Sequence, residues 1–169
     1  MEVYFLRHGE AGQRVPTASR DMERALTAAG RKEIEEVGEG LVELDLKFDL
    51  IATSPLKRAK ETASIVNKRL KRKFPVEEWR ELAPEGNRNA LYDRLRKLRQ
   101  GSTVMFVGHE PYLTTTIGEI VGRDGVGSSS PRIVLKKGGL AKVSLTGLNP
   151  RIIGELRWLL TPKQIRKMA

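Results

Sequence analysis

The sequence predicts an α/β fold in which a mainly parallel central sheet lies between two layers of helices. Short apolar runs typical of strands alternate with segments whose apolar residues recur every three to four positions. The run at 102–108, "STVMFVG", is almost continuously apolar, as strands covered on both faces of a parallel sheet are. Because strands and helices alternate, right-handed crossovers should place helices on both faces, giving a three-layer α/β/α arrangement.

Strands are predicted at 2–6, 49–53 and 102–108. Ile34, Val37, Leu41 and Leu44 share one helical face and predict the first long helix. A second helix is predicted from Leu56 to Leu70, with Ser54 as its side-chain cap and Pro55 at its first position. The dense basic run at 67–74 then reads as the end of that helix. Two further helices are predicted from leucine and isoleucine spacing: Leu91, Leu95 and Leu98, then Leu113, Ile117 and Ile120.

The last third of the chain has a different pattern. Gly138 and Gly139 separate two aliphatic runs within 132–145, which predicts a β-hairpin with its turn at the glycines. Residues 154–160 predict a final edge strand, and the glycine- and serine-rich stretch 122–131 a surface loop. The chain has no internal repeat and no change of composition, so we predict one domain over residues 1–169.

Composition limits the function classes. The net charge of +10, from 31 Lys and Arg against 21 Asp and Glu, favours an anionic substrate or partner. Aromatic residues make up only 5%, which argues against the stacking platforms of a nucleic-acid-binding protein. The chain contains no cysteine, no signal-like N-terminus and no apolar run long enough for a bilayer. We therefore predict a cytoplasmic protein without membrane contact. We also predict a monomer, because the sequence contains no long apolar heptad pattern that would indicate a subunit interface.

Two histidines, the only ones in the chain, each follow a predicted strand: His8 in "YFLRHGE" and His109 in "MFVGHEP". The carboxyl ends of parallel strands meet at one sheet edge, so both rings should lie there. Arg7 precedes His8, and Arg58 falls in the first turn of the helix after the second strand. These four groups should converge near helix N-termini, a setting that suits a tetrahedral dianion such as phosphate. Gly9 would let the backbone approach that anion closely.

Three motifs, "LRHGEA", "SPLKRAKET" and "VGHEPYL", occur in this order on the chain and resemble those of the histidine phosphatase superfamily. The segments "DMERALTAAG" and "ELAPEG", together with the small size, are most similar to SixA-type phosphohistidine phosphatases. The resemblance extends from residue 1 to about residue 120. It implies a phosphoglycerate mutase-like fold without a large helical insertion, and catalysis that needs neither a metal nor another cofactor.

The resemblance also implies roles. His8 would attack phosphorus and form a phosphohistidine intermediate, while Arg7, Arg58 and His109 hold the phosphoryl oxygens. The two arginines should lower the pKa of His8 and so keep it unprotonated. Asp21 and Arg24 also match the SixA-type pattern and would line the mouth of the cleft. The alternative for this second pair is a salt bridge in the loop ahead of a helix.

A general acid is not evident. The position that carries a carboxylate in other branches of the superfamily falls on Pro84, with Glu85 beside it and Glu81 three residues earlier. Either glutamate could serve. An imidazole leaves phosphorus more readily than an alkoxide does, so the gap favours phosphohistidine on a protein as the substrate.

Three other functions remain open at this stage. The first is a phosphatase of the same chemistry that acts on a small phosphorylated metabolite. The second is a metal-dependent hydrolase built from His8, His109, Glu10 and Glu110, which the neighbouring Arg7 disfavours because a guanidinium repels a divalent cation. The third is a basic module that binds phosphoprotein or nucleic acid without turnover.

Overall fold

A computed structural model describes residues 1–13, 17–122 and 132–169. Six strands form one sheet in the order β3-β2-β4-β1-β5-β6. Strands β3, β2, β4 and β1 run parallel to one another, whereas β5 and β6 are antiparallel to their neighbours. The predicted mainly parallel sheet is therefore confirmed. The strands are β1 (Glu2–Arg7), β2 (Leu50–Thr53), β3 (Glu77–Glu78), β4 (Thr103–Gly108), β5 (Leu140–Gly147) and β6 (Ile153–Leu160).

Six α-helices connect or flank these strands in the described ranges. The four helices predicted from apolar spacing correspond to α2, α3, α4 and α5, and α3 ends within the basic run, as expected. None of the helices in this part of the chain is long and apolar enough to cross a bilayer. The helices are α1 (Ala18–Met22), α2 (Ala28–Glu43), α3 (Lys57–Arg69), α4 (Arg88–Lys97), α5 (Tyr112–Val121) and α6 (Pro162–Arg166), with a 3₁₀ turn at Arg80–Leu82.

Alternation along the central strands divides the core into two halves. Val3 and Phe5 of β1 pack on one face with α4 and α5. Tyr4 and Leu6 of the same strand pack on the other face with α2, α3 and α6. Each fully buried side chain of this kind contributes about 1.5–3 kcal/mol. The three-layer α/β/α arrangement predicted from the sequence is confirmed, and it holds the carboxyl ends of β1, β2 and β4 side by side.

The prediction of a β-hairpin with its turn at Gly138 and Gly139 is wrong. Residues 132–139 contain no strand, and β5 pairs instead with β6, which is the edge strand expected at 154–160. Gly138 adopts a φ of +68°, and its N–H donates to the Arg7 carbonyl over 3.0 Å. The Arg7 N–H in turn donates to the Gly139 carbonyl over 3.1 Å. The two glycines therefore hold this segment against the end of β1. Their partner is more than 130 positions away in the sequence, so the residues around the glycines gave no sign of this contact. The loop predicted at 122–131 lies, apart from Gly122, outside the described residues.

Candidate active site

Parallel pairing of β1 with β4 brings the two histidines together. Arg7 is the register partner of Gly108, so the next residue of each strand end is a histidine. The centroids of the His8 and His109 rings are 5.0 Å apart, with 55° between the ring planes. Both rings are buried. The main-chain N–H of His8 donates to the Gly108 carbonyl over 3.1 Å, which ties the ends of the two strands together.

The two arginines lie in the wall of the same cleft as the histidines. Arg58 projects from the first turn of α3 and is only 4% exposed, while Arg7 ends β1. The Arg7 Nη1 donates to the Leu135 carbonyl over 2.9 Å, so the segment before Gly138 helps to orient this guanidinium. The cleft measures about 1010 Å³ and is lined by all four predicted groups: Arg7, His8, Arg58 and His109.

Hydrogen bonding indicates the protonation of His8. Its Nδ1 lies 2.7 Å from the Gly9 carbonyl oxygen. A carbonyl oxygen only accepts, so Nδ1 carries the hydrogen and Nε2 keeps a lone pair. The pKa of His8 is lowered to about 4, chiefly by burial; the Gly9 hydrogen bond opposes the shift, and the Arg58 and Arg7 guanidiniums add to it. Burial is thus a larger cause of the low pKa than the arginines to which the sequence analysis attributed it.

His109 is held by a residue that sequence reasoning placed elsewhere. Its Nε2 lies 2.8 Å from Ser54 Oγ. The helix starts later than predicted, with Leu56 rather than Ser54 as its N-cap residue. Ser54 Oγ still accepts from the Leu56 N–H over 3.3 Å, as a capping side chain would, but the same hydroxyl also contacts His109. The pKa of His109 is lowered to about 2, chiefly by burial and to a smaller extent by His8 and Arg58. The available signal was positional: Ser54 follows β2 as His109 follows β4, and those strands pair with Thr53 opposite Val107.

Thr62 is a second residue whose contact sequence reasoning missed. Its Oγ1 accepts from the Gly9 N–H over 3.1 Å and donates to the Arg58 carbonyl over 2.8 Å. Because residues four apart share one helical face, Thr62 could have been assigned to the side of Arg58. It ties the His8–Gly9 turn to the helical turn that carries Arg58.

Asp21 and Arg24 satisfy both interpretations offered from the sequence, because they form a salt bridge and also line the cleft. Asp21 Oδ2 accepts from Arg58 Nη2 over 3.0 Å, and its Oδ1 accepts from Arg24 Nε over 2.9 Å. The Asp21 carbonyl accepts from Arg58 Nη1 over 2.8 Å. Burial alone would raise the pKa of the Asp21 carboxyl, but Arg58 and Arg24 outweigh it and hold that pKa below its ordinary value.

The structure separates the two candidate acids. Glu85 lines the cleft, together with Pro84. Glu81 instead pairs with Arg94 over 3.1 Å and is not among the cleft-lining residues. A third glutamate, Glu110, also lines the cleft and accepts from the Thr114 hydroxyl over 2.5 Å. Burial raises the pKa of the Glu110 carboxyl, against the lowering effect of the Thr114 bond and Arg7.

Gly9 and Gly30 serve packing between α2 and the turn after β1. A Cβ added to Gly9 would lie 2.6 Å from Ile34 Cγ1. The lack of a side chain at Gly9 therefore makes room for a core side chain of α2. A Cβ added to Gly30 would lie 2.1 Å from the Glu10 carbonyl oxygen. The close contact expected at Gly9 is therefore with the protein's own helix, which presses against the residues that follow His8.

We expect Gly30→Ala to destabilise the protein by about 1–3 kcal/mol or more, since a methyl group cannot fit against the Glu10 backbone without moving it. The same displacement should lower kcat by shifting the turn beside His8. Denaturant unfolding and steady-state kinetics measure both effects. Gly12→Ala is the control, because a Cβ there comes no closer than 4.0 Å to any other group. Equal stability of the two variants would contradict the packing role of Gly30.

No group of three or more histidine, aspartate or glutamate side chains in residues 1–13, 17–122 and 132–169 is arranged to hold a metal ion. The arrangement instead offers guanidinium N–H donors and one neutral imidazole with a lone pair on Nε2. Such a set can bind a phosphoryl group and attack it.

Comparison with known proteins gives the family. Residues 3–84 match the model of the histidine phosphatase superfamily, branch 1. An uncharacterized protein of Picosynechococcus sp. is 34% identical over 142 residues, which is 83% of this chain and 82% of that protein. The alignment therefore extends over most of both chains, beyond the part that the family model covers.

Two solved structures share the fold. The protein histidine phosphatase SixA, complexed with tungstate, has a TM-score of 0.80 at 24% identity and covers 96% of this chain and 98% of its own. The alpha-ribazole phosphatase from Shigella flexneri has a TM-score of 0.73 at 19% identity, with 96% and 97% covered. The matched segment carries His8 and Arg58, and the fold places them beside His109. The chain belongs to the histidine phosphatase superfamily.

Proposed function

We propose that this phosphatase hydrolyses phosphohistidine on a protein, through a covalent phosphohistidine formed on its own His8. The observation that carries the proposal is the 2.7 Å contact between His8 Nδ1 and the Gly9 carbonyl, because it leaves Nε2 as an unprotonated nucleophile. The likeness to SixA, a protein histidine phosphatase that binds the tetrahedral oxyanion tungstate, supports the substrate class.

The first step exchanges one P–N bond for another. His8 Nε2 attacks phosphorus in line, and the bond from phosphorus to the substrate imidazole breaks with its electron pair going to the departing nitrogen. A substrate ring already protonated on its other nitrogen leaves as neutral imidazole, so no acid is required. Water then attacks phosphorylated His8, releasing inorganic phosphate and restoring the neutral ring.

The cleft wall supports a leaving group that needs little acid assistance. Pro84 lines the cleft at the place where the resemblance puts a carboxylate in other branches of the superfamily, and Glu85 lines the cleft beside it. Arg7, Arg58 and His109 surround His8 and would hold the phosphoryl oxygens as charge develops on them. Preorganised donors of this kind contribute about 2.7–4 kcal/mol each when tested by removal.

Steady-state kinetics on a phosphohistidine-containing protein, beside a panel of sugar phosphates and p-nitrophenyl phosphate, tests the substrate class. We expect kcat/KM to favour the phosphohistidine protein by about 100-fold or more over every phosphomonoester. The His8→Ala variant measures uncatalysed loss of the labile phosphoramidate in the same mixture. A preference of similar size for any sugar phosphate would overturn the proposal.

Glu110 supports a second candidate, a phosphomonoesterase acting on a small metabolite. This half-buried carboxyl lines the cleft and has its pKa raised by burial, so it could protonate a departing alkoxide. The alpha-ribazole phosphatase, which shares the fold, supports this candidate. Under this candidate, Glu110→Gln would lower turnover of phosphomonoesters while leaving phosphohistidine hydrolysis unchanged.

We expect both histidines to stay neutral down to about pH 5, since burial lowers the pKa of His8 to about 4 and that of His109 to about 2. As the pH falls through the pKa of His8, Nε2 takes up a proton and kcat/KM should fall. NMR titration of the two ring signals measures this directly, and it avoids the ionisation of the substrate phosphate near pH 6. Titration of both rings near their ordinary pKa of about 6.5 would contradict it.

The same shifts should make folding pH-dependent. Below about pH 6.5 the two histidines bind protons in the unfolded chain but stay unprotonated in the folded protein. The free energy of unfolding should therefore decrease as the pH falls from about 6.5 toward 4.

A further inference from the structure

Two contacts place Ser54 between α3 and His109. Its Oγ lies 2.8 Å from His109 Nε2 and 3.3 Å from the Leu56 main-chain nitrogen. The Ser54 N–H donates to the Val107 carbonyl over 2.9 Å, and the residue is fully buried. The hydroxyl is therefore held in a fixed position against one nitrogen of the imidazole.

The direction of the Ser54–His109 hydrogen bond follows from what each group can do. The Leu56 N–H can only donate, so it uses one lone pair of Ser54 Oγ. The hydroxyl hydrogen then needs an acceptor, and among the described residues its close partner is His109 Nε2. If Nε2 carried a hydrogen instead, Oγ would accept twice and its own hydrogen would have no acceptor in the described chain.

The other nitrogen of the His109 ring gives an independent reason for placing the hydrogen on Nδ1. His109 Nδ1 is buried and has no hydrogen-bond partner among the residues that the structure describes. Since Nε2 is occupied by Ser54, Nδ1 is the ring nitrogen left to contact a phosphoryl oxygen. An N–H there would attract that oxygen, whereas a lone pair would repel it. A buried donor without a partner is destabilising, and a bound oxyanion would offset that cost.

We propose that Ser54 is a positioning residue that donates to His109 Nε2 and so fixes the tautomer with hydrogen on Nδ1, the form that can bind a phosphoryl oxygen. The inference rests on the proposed function in that His109 contacts the phosphoryl group. Both histidines then share the Nδ1–H tautomer for opposite purposes. The Gly9 carbonyl draws the hydrogen of His8 onto Nδ1 and leaves Nε2 as nucleophile, whereas Ser54 leaves Nδ1 of His109 as donor.

Nitrogen NMR of the ¹⁵N-histidine-labelled wild type tests the tautomer without any substrate. With two histidines in the chain, the spectrum contains four ring nitrogens, and the His8→Ala variant assigns them. We expect Nδ1–H for both rings at neutral pH. An Nε2–H tautomer for His109 in the wild type would overturn the proposal, whatever the physiological substrate proves to be.

Substitution of Ser54 tests its effect on turnover. Ser54→Ala should shift the His109 signals toward Nε2–H and leave those of His8 unchanged. It should lower kcat about 10- to 100-fold, less than the roughly 10²- to 10³-fold known for outright removal of an oxyanion donor, because the imidazole itself stays in place. Ser54→Thr keeps the hydroxyl and should restore the tautomer and most of the activity. Ser64→Ala, an exposed serine on α3, is the matched control and should change neither.

These measurements use p-nitrophenyl phosphate, so a wrong choice of physiological substrate would not affect them. Retention of Nδ1–H together with full activity in Ser54→Ala would refute the role of Ser54. A loss of activity without any change of tautomer would also refute it, because the effect would then be structural. If Ser54→Ala does not fold, Ser54→Thr and the wild-type spectrum still decide between the two tautomers.

Discussion

Replacement of His8 by alanine is expected to lower kcat by about 10⁴-fold or more, the scale at which removal of a covalent nucleophile acts. The unprotonated Nε2 of His8 is the atom that would bond to phosphorus. The guanidiniums of Arg7 and Arg58 would remain, so His8→Ala should still bind inorganic phosphate. Rapid-quench kinetics and intact-protein mass spectrometry measure turnover and the phosphoenzyme.

The covalent intermediate gives this prediction a second readout. Wild type mixed with substrate and quenched in base should carry one acid-labile phosphoryl group, and His8→Ala should carry none. His109→Ala is the informative control, because it keeps the nucleophile and should still form the phosphoenzyme, although more slowly. A phosphoenzyme in the His8→Ala variant, or turnover within about tenfold of wild type, would show that His8 is not the nucleophile.

The sequence predicted those features of the site that depend on strand order. His8 and His109 each follow an apolar run, and parallel strands end at one edge, so their proximity needed no knowledge of side-chain packing. Arg58 was predictable for the same reason, since it occupies the first turn of a helix that starts at that edge. Periodicity also predicted four of the helices that cover the sheet, α2 to α5, although not α6.

The features that were missed depend on partners far away in the chain. Ser54 contacts His109, 55 positions away, and Thr62 contacts Gly9, 53 positions away. The local pattern "SP" is compatible with a helix cap, but the hydroxyl is used by an imidazole from another strand. Gly138 and Gly139 have the composition of a hairpin turn, yet they pair with the end of β1. A single domain, a monomeric state and a cytoplasmic location stay predictions.

Arg58→Ala should lower kcat/KM by about 10²- to 10³-fold, equivalent to about 2.7–4 kcal/mol of transition-state stabilisation. Arg58 is buried in the cleft wall, where its interaction with a phosphoryl oxygen is weakly screened. Both Nη atoms of Arg58 donate to Asp21. Removing the guanidinium therefore takes away a hydrogen-bond donor to the phosphoryl group. It also removes one of the two arginines that pair with the Asp21 carboxylate, so more of that negative charge would repel an incoming dianion. Arg58→Lys should recover only part of the loss, because an ammonium lacks the planar fork.

Lys60→Ala separates a direct contact from a general effect of charge. Lys60 lies on the same helix, loses the same single positive charge when replaced, and pairs with Glu78 at about half exposure. Its side chain is not among those lining the cleft, so kcat/KM should change by no more than about twofold. If both variants lost activity equally, and both losses vanished in high salt, the +10 charge would act as a long-range field. A large loss confined to Arg58→Ala and persisting in salt would instead show that the guanidinium acts at contact distance, since buried pairs are screened far less than exposed ones.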